Sequence, residues 1–283
     1  MKKFLSLLLA LSLLLLPVSA FDAEELSPNR VLINPACRVE VDYIPPDLVP
    51  LTSVGLKVSL AAISLDRQAA DFLKFLVADM SGDGITNYII VSGYRQFSSQ
   101  ERLFTNKVNS YIAQGYSEAD ARAAAATSVA VPGTSEHQSG YAIDMSNTAQ
   151  GGTLSGNVAK SSVGVWMLEN AQRFGFTLRY PEDKTDITGI IYEPWHYRYV
   201  GFPHSQILYD MGLCLEEYVD YLRGGKAIDY TDDKGIRYRI EYFASEDAIP
   251  ETGDGESVAA VGDGGYIVTS VRHDKSRTMF RWM

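Results

Sequence analysis

The sequence predicts an α+β fold built around an antiparallel sheet. Helical and strand patterns are mixed along the chain, without the regular strand–helix–strand alternation of parallel α/β proteins. No internal repeat is present. Near the C-terminus, apolar and polar residues alternate in Ile236 to Phe243 and again in Tyr266 to Val271. Such alternation is typical of half-buried strands in antiparallel sheets.

The first twenty residues form a separate unit. Lys2 and Lys3 precede an apolar run from Phe4 to Leu16, and Val18-Ser19-Ala20 follows it. This order predicts a secretory signal peptide cleaved after Ala20, and therefore a secreted or cell-envelope protein. A retained membrane anchor is the alternative. The run is short for a membrane span, however, and no second apolar stretch follows it.

Regular structure is predicted to begin after an entry segment, residues 21–60, in which repeated prolines forbid long elements. The spacing of apolar residues then predicts an amphipathic helix from Asp66 to Met80, which Ser81-Gly82-Asp83-Gly84 ends. The apolar run from Tyr88 to Val91 predicts a short buried strand. It leads directly into Ser92-Gly93-Tyr94-Arg95.

Two helices are predicted next. Ser98 and Glu101 match a capping box for a helix that runs to about Ala113. Ser117 is the predicted N-cap of an alanine-rich helix that ends near Thr127.

The following stretch mixes both element types. Val163 to Phe174 predicts a helix closed by Gly175. Short strands are predicted at Phe176 to Arg179 and Gly189 to Tyr192, and Ser205 to Leu222 is predicted to be helical.

The character of the chain changes after Gly224-Gly225. The two alternating segments flank an acidic, glycine-rich stretch, residues 246–265, which predicts a flexible loop within a small β extension. The predicted organisation is a signal peptide at 1–20, an entry segment at 21–60, a main domain at 61–223 and a C-terminal β extension at 224–283.

Charge and cysteine content limit the possible partners. Without Lys2 and Lys3 the chain keeps 23 basic against 35 acidic residues. Such an acidic protein is not expected to bind nucleic acid or anionic surfaces non-specifically, and an anionic substrate would need a local basic group. Cys37 and Cys214 permit a disulfide in a secreted protein, and two buried thiols are nearly as compatible with the sequence. Neither has metal-ligand spacing.

Chemistry-bearing residues concentrate in two short segments. The first, Ser135 to Asp144, contains His137 and Asp144 with Gly140 between them. A loop that turns at the glycine into a strand would aim both side chains inward. This spacing alone is weak evidence, because His137 could be an exposed loop histidine and Asp144 a turn or cap residue.

The second segment, Glu193 to Tyr199, adds another histidine, His196. Two histidines and one acid with an open fourth position are how proteins hold a catalytic zinc, and a nearby carboxylate then handles protons. Glu193 precedes Pro194, which favours extended backbone. In a regular strand, Glu193 and His196 would point to opposite faces. For both side chains to serve one site the backbone must bend, and we predict this distortion near Pro194. Alternatively, the aromatic residues around His196 simply pack a core.

Arg95 is a further candidate for the site, and two other histidines need an interpretation. Arg95 follows a predicted strand and could hold a developing oxyanion or a carboxylate, with a surface salt bridge as the alternative. His204 and His273 are interpreted as structural or surface residues.

Three ordered motifs resemble a known enzyme family. The segments match S-x-H-x-x-G-x-A-x-D and E-x-W-H-x-R-Y-V-G, and Ser92-Gly93-Tyr94-Arg95 with Gln100 matches S-x-Y-R-x-x-x-x-Q. Together they resemble the VanY-type zinc D-alanyl-D-alanine carboxypeptidases and the closely similar LD-carboxypeptidases. The resemblance covers roughly Leu48 to Leu222. It implies a small antiparallel sheet flanked by helices, the hedgehog/DD-peptidase-like fold.

The resemblance also implies roles for individual residues. His137, Asp144 and His196 would bind one Zn²⁺ per chain, Glu193 would be the catalytic base, and Arg95 would lie beside the scissile carbonyl. The implied substrate-binding residues are Ser135, Gln100 and, more weakly, Trp195. The family usually has serine after the motif arginine, where this chain has Gln96.

The resemblance implies a secreted zinc metallocarboxypeptidase that removes the terminal D-alanine from peptidoglycan stem peptides. LD-carboxypeptidase or endopeptidase action on the same peptides is the alternative within the enzyme class. A non-catalytic, zinc-containing wall-binding module is the alternative outside it, but a storage site would not need Glu193. The role of residues 224–283 and the oligomeric state stay open.

Overall fold

The computed structural model describes residues 31–250 and 255–272. The predicted signal peptide and His273 lie outside the described residues. The α-helices in the described part are α1 (Arg67–Gly82), α2 (Phe97–Ile112), α3 (Glu118–Ala126), α4 (Ser162–Asn170), α5 (Thr185–Thr188), α6 (His204–Met211) and α7 (Leu215–Arg223). The strands are β1 (Leu48–Pro50), β2 (Ser64–Asp66), β3 (Tyr88–Ser92), β4 (Ala142–Asn147), β5 (Phe176–Leu178), β6 (His196–Tyr199), β7 (Ile228–Thr231), β8 (Arg237–Phe243), β9 (Glu256–Ala260) and β10 (Tyr266–Arg272). None of the described helices is long and apolar enough to cross a membrane.

Three sheets organise these strands. The central sheet has the order β3-β4-β6-β5, and every neighbouring pair in it is antiparallel. The β1 and β2 strands form a two-stranded antiparallel sheet, and the C-terminal sheet has the order β7-β8-β10-β9. The predicted α+β fold with an antiparallel sheet and flanking helices is confirmed.

Side-chain alternation gives the central sheet two different faces. In β6, Tyr197 and Tyr199 join a large apolar core, together with residues of α1, α4 and β4. Because successive side chains of a strand point to opposite faces, His196 and Arg198 lie on the other face. The candidate site is therefore held on a sheet whose back is anchored in the core.

The predicted helices α1 and α3 are confirmed. Asp66 caps α1 by accepting a hydrogen bond from the Gln68 amide, and the apolar face of α1 is buried. Ser117 caps α3 through the Asp120 amide. The predicted capping box of α2 is wrong. The helix begins at Phe97 after Gln96, no side chain caps it, and Ser98 lies inside its first turn.

Two other predicted elements differ from the structure. Gly189 to Tyr192 is not a strand, because its backbone bonds outside the sheet, with the Ile191 amide donating to the Thr127 carbonyl. The helix predicted from Ser205 to Leu222 is interrupted after α6 by Gly212, which adopts a left-handed conformation (φ +63°). The helix predicted from Val163 continues beyond α4 as a 3-10 turn, Ala171–Phe174, and Gly175 closes it as expected.

The C-terminal strands β8 and β10 are confirmed, but the stretch predicted as a flexible loop contains β9. This sheet packs on α6 and α7 in a second core. Its buried members include Leu32, Leu208, Tyr218, Val219, Ile240, Val261 and Ile267. The predicted domain boundary at 223 stays a prediction, since α6 and α7 share this core with the extension. Cys37 and Cys214 are both buried.

Candidate metal centre

The central sheet places Ser92, Asp144 and His196 side by side on three adjacent strands. Ser92 at the end of β3 pairs with Asp144 in β4, and Asp144 pairs in turn with His196 at the start of β6. The register shifts between Ile90 and Ser92, so the end of β3 is irregular. Two of the predicted metal ligands are thus direct cross-strand neighbours on one face of the sheet.

The third predicted ligand, His137, comes from a 3-10 turn, Glu136–Ser139, immediately before β4. Gly140 ends this turn with φ +77°, a conformation that glycine adopts without strain. The backbone therefore reverses at the glycine and enters β4, as predicted. His137 Nδ1 lies 2.7 Å from the Gly93 carbonyl oxygen and donates to it, which leaves Nε2 as the unprotonated nitrogen.

The donor atoms of His137, Asp144 and His196 converge. All three ligand atoms lie within 4.8 Å of one another, and the three side chains are buried. His137 Nε2 is 3.3 Å from Asp144 Oδ2, and His196 Nδ1 is 3.1 Å from Asp144 Oδ1. Ligands of a tetrahedral zinc lie about 3.4 Å from one another, since the metal–ligand bonds are about 2.1 Å. Two imidazoles and one carboxylate gathered this closely are a donor set of the kind that binds zinc.

Glu193 lies at the rim of this group. The His196 amide donates to the Glu193 carbonyl (3.0 Å), so a turn through Pro194 and Trp195 precedes β6. This turn is the distortion predicted near Pro194, and it brings Glu193 Oε2 to 3.8 Å from His196 Nδ1. Burial raises the pKa of Glu193 to about 7 against the opposing effect of His196. The carboxyl group can therefore both accept and donate a proton near neutral pH.

The charges of the cluster shape its other titrations. Burial raises the pKa of Asp144, but the neighbouring His137 and His196 outweigh it, and the pKa of Asp144 lies well below its usual range. Burial lowers the pKa of His196, yet the neighbouring carboxylates of Asp144 and Glu136 raise it to about 9. A metal bound at Nδ1 must displace that proton, so metal binding will release protons.

Arg95 lies at the edge of the centre. Its Nη1 donates to Gln100 Oε1 (2.9 Å), its Nη2 donates to Ser92 Oγ (2.7 Å), and Nη2 is 3.9 Å from Asp144 Oδ2. The Gln100 amide nitrogen in turn donates to the Ala130 carbonyl (2.6 Å). Gln100 is buried with both polar ends engaged, so its visible contact with the site runs through Arg95.

The other predicted substrate-binding residues lie in the same two segments. Ser135 is buried, and its carbonyl accepts from the Gln138 amide. Trp195 is half-buried in the turn between Glu193 and His196, and its carbonyl accepts from the Met145 amide. Their roles in binding stay predictions. His204 is half-buried and lies away from these segments, in contact with Tyr218 of the second core, as expected of a structural histidine.

A buried ion cluster beside the centre was missed from the sequence. Glu136 Oε1 accepts from Arg179 Nε (2.7 Å) and lies 3.1 Å from Arg198 Nη1. Burial raises the pKa of Glu136, but the two guanidinium groups hold it well below its usual range. One sequence signal could have indicated part of this cluster. Arg198 is two residues after His196, and in a strand it must lie on the same face as His196.

With this geometry in place, comparison with known proteins decides the family. The sequence model of the VanY family, described as D-alanyl-D-alanine carboxypeptidase, matches residues 62–202. The chain is also 34% identical over 200 residues to the putative carboxypeptidase YodJ of Bacillus subtilis, covering 70% of each protein. The chain belongs to the VanY family. Every predicted ligand and the predicted base lie within the matched region.

Two Enterococcus relatives extend this assignment. The chain is 47% identical over 156 residues to a D-alanyl-D-alanine carboxypeptidase of Enterococcus faecalis, covering 55% of this chain and 56% of the relative. It is 36% identical over 221 residues to a D-alanyl-D-alanine carboxypeptidase of Enterococcus faecium, covering 76% of this chain and 65% of the relative. The chain thus spans less than two thirds of the length of these two proteins.

Solved structures of VanY-type and LD-carboxypeptidases share the fold. A vancomycin resistance D,D-pentapeptidase VanY variant in complex with Zn(II) is 41% identical, with a TM-score of 0.56 over 67% of this chain and 98% of that one. VanYB in complex with D-alanine-D-alanine is 40% identical, with a TM-score of 0.58 over 69% of this chain and 98% of that one. The LdcB LD-carboxypeptidase is 35% identical, with a TM-score of 0.59 over 67% and 84%.

Proposed function

We propose that this protein is a zinc carboxypeptidase that removes the terminal D-alanine from peptidoglycan stem peptides. The observation that carries the proposal is the position of Glu193. Its carboxylate lies 3.8 Å from His196 Nδ1, beside the convergent donors of His137 and Asp144 but outside that group. A proton-accepting acid next to a three-ligand metal group is the arrangement that metal-assisted hydrolysis requires.

The metal would be held by His137 Nε2, one carboxylate oxygen of Asp144 and His196 Nδ1. Bound zinc supplies a Lewis acid that polarises the scissile carbonyl and lowers the pKa of water to about 7. The pairing of His137 Nδ1 with the Gly93 carbonyl supports this assignment, because it leaves the opposite nitrogen as the donor.

Glu193 would move the proton. Water adds to the carbonyl carbon before the terminal D-alanine, and Glu193 accepts the proton that this attack releases. As the carbon–nitrogen bond breaks, Glu193 gives that proton to the departing amine, leaving a shortened peptide carboxylate and free D-alanine. In the metal-free site, burial raises the pKa of Glu193 to about 7, so this carboxyl group is suited to exchange protons near neutral pH.

Arg95 would stabilise negative charge that develops on the carbonyl oxygen. Its guanidinium is held by Ser92 and Gln100, so it is oriented before substrate arrives. Such pre-oriented donors are effective because they do not reorganise during the reaction. Ser135 and Trp195 are proposed to contact the peptide from the two ligand-bearing segments.

The names of the relatives support the substrate. The two Enterococcus relatives are D-alanyl-D-alanine carboxypeptidases, and the VanYB neighbour was solved with D-alanine-D-alanine. A peptidoglycan peptide lies outside the cytoplasmic membrane, so we propose extracytoplasmic action after signal-peptide cleavage. N-terminal sequencing of the protein from culture is expected to begin at Phe21, and an intact Met1 would contradict cleavage.

The likeness to LdcB favours one rival, which is removal of D-alanine from a tetrapeptide by cleavage of an L,D bond. Purified protein given pentapeptide and tetrapeptide muropeptides separates the two activities by the D-alanine released from each. Our proposal expects release from the pentapeptide. Release from the tetrapeptide alone would overturn the D,D assignment while leaving a zinc carboxypeptidase.

A non-catalytic zinc-containing module is the rival of another class. Substitution Glu193→Ala separates it from an enzyme, with Glu169→Ala on the exposed surface of α4 as the matched control. We expect Glu193→Ala to keep about one zinc per chain and lose at least ~10²-fold in turnover, with the control unchanged. Unchanged turnover in Glu193→Ala would remove Glu193 from the mechanism.

A further inference from the structure

The carboxylate of Glu136 is buried directly behind one of the proposed metal ligands. Glu136 is 1% exposed and lies in the 3-10 turn before β4. One oxygen, Oε1, is engaged by Arg179 and Arg198. The other, Oε2, has no hydrogen-bond partner among the described residues and lies 3.6 Å from His196 Nε2.

His196 presents its two ring nitrogens to different partners. Nδ1 faces Asp144 and Glu193, at 3.1 Å and 3.8 Å. Nε2 is buried, has no hydrogen-bond partner within the described part of the chain, and lies 3.6 Å from the Glu136 carboxylate, near hydrogen-bond distance. A histidine that binds metal through one nitrogen needs an acceptor for the proton on the other. Glu136 Oε2 is placed to be that acceptor.

We propose that Glu136 is a positioning residue that fixes the tautomer and the ring orientation of His196 for metal binding. The inference rests on the proposed function, because it takes His196 Nδ1 as a metal donor. When Nδ1 binds the metal, the proton resides on Nε2, and a shift of about half an ångström brings Nε2 within hydrogen-bond distance of Oε2. The negative charge of Glu136 also strengthens the donor power of the ring.

The surrounding ion pairs hold the carboxylate in place. Arg179 donates from Nε to Glu136, and its Nη1 and Nη2 form a two-point contact with Glu216 of α7 (2.8 and 2.6 Å). Asn34 Nδ2 donates to Glu216 as well (3.2 Å). Arg179 and Arg198 contact Glu136 directly, whereas α7 and the entry segment contact only the far end of the Arg179 guanidinium and Glu216.

Substitution Glu136→Gln tests the role at nearly constant shape. Arg179 Nε donates at the Oε1 position, with the cationic Arg198 beside it, so the amide oxygen must lie there and the amide NH₂ must face the protonated Nε2 of His196. This places a donor against a donor. Glu216→Gln is the matched control, since it weakens the same buried network one step further from His196 and leaves Oε2 in place.

Zinc affinity is measured by chelator competition on the metal-free forms of the wild type and both variants, and unfolding temperature is measured alongside. We expect Glu136→Gln to bind zinc about 10- to 100-fold more weakly and Glu216→Gln to change by less than about threefold. Unchanged affinity in Glu136→Gln, or equal losses in both variants, would overturn the proposal. Failure of the wild type to bind zinc would instead overturn the proposed function.

A second measurement needs no variant, and it decides the matter where Glu136→Gln does not fold. In the zinc-loaded wild type, the ring N–H of His196 should exchange slowly with solvent. It should resonate downfield of the ring N–H of His204, whose neighbours are hydroxyl groups. A His196 ring N–H that exchanges fast or resonates upfield of His204 would contradict the bond to Glu136.

Discussion

His137 Nδ1 donates to the Gly93 carbonyl over 2.7 Å, and this bond joins the first ligand-bearing segment to the end of β3. Gly93 can lie there because it lacks a side chain. A Cβ at this position would stand 2.4 Å from the Ser64 carbonyl oxygen of β2. One backbone contact thus sets both the ligand orientation and the identity of a neighbouring residue.

Substitution Gly93→Ala should therefore damage stability and zinc binding together. Relief of the clash with Ser64 must shift the Gly93 carbonyl, and we expect a loss of about 1–3 kcal/mol in unfolding free energy with weaker zinc binding. Gly82→Ala is the control, since nothing lies within 4 Å of a Cβ there. It should be neutral or slightly stabilising. Equal behaviour of the two variants in denaturant titration would refute the steric argument.

Gln100 should act on catalysis through Arg95. Substitution Gln100→Leu removes the acceptor of Arg95 Nη1. Of the two side-chain hydrogen bonds described for the guanidinium, only the one to Ser92 is then left. We expect kcat/KM to fall about tenfold, mostly in kcat, while zinc content stays unchanged. Gln114→Leu, at an exposed position of the chain after α2, is the control. A Gln100→Leu enzyme with wild-type kcat would show that Arg95 does not need this support.

His204 should make stability depend on pH. Burial lowers its pKa to about 4, while the unfolded chain titrates near 6.5. Below pH 6.5 the unfolded state therefore binds a proton that the folded state does not. The contribution of His204 to the free energy of unfolding is therefore fully present above pH 6.5. It is lost as the pH falls towards 4, by an amount on the order of 3 kcal/mol.

Substitution His204→Gln should flatten this dependence, because glutamine does not titrate and can bond to both Tyr218 and Thr269, the present partners of the ring. The measurement is the free energy of unfolding in urea between pH 7 and pH 4 for both proteins. Parallel curves for wild type and variant would rule out His204 as the titrating group.

Removal of residues 224–283 should disrupt folding. The C-terminal extension supplies Ile240, Val261 and Ile267 to the core that also buries Tyr218 and Val219 of α7. Truncation would expose that apolar surface, and α7 also carries Glu216, which holds Arg179. We expect insoluble or partly unfolded protein, checked by circular dichroism and proteolysis. A soluble, active truncated protein would favour a role of the extension in recruitment.

Much of the site was predictable because its chemistry is local in sequence. His137 and Asp144 flank the glycine that turns the chain between them, and the three-residue separation of Glu193 and His196 required a turn if both were to serve one site. The direction of that turn could not be predicted from the sequence. It depends on backbone hydrogen bonds that the Ile191 and Glu193 amides donate to distant segments.

The ion cluster behind His196 was not predictable from spacing. Glu136 meets Arg179 only because β5 and the segment after it pair with β6, and Glu216 joins from α7. Likewise, the break between α6 and α7 depends on Gly212, whose left-handed conformation is not implied by apolar periodicity. Contacts between distant segments assembled the ion cluster, whereas Gly212 is a local stop signal that the apolar periodicity outweighed.

The most direct test of the account is a crystal structure of the purified protein with diffraction data collected on both sides of the zinc absorption edge. We predict one anomalous peak per chain, about 2 Å from His137 Nε2, an Asp144 oxygen and His196 Nδ1. The Glu193 carboxylate should lie beside the peak without binding the metal. A peak elsewhere, or zinc-supplemented crystals with no peak at these three residues, would contradict the central claim.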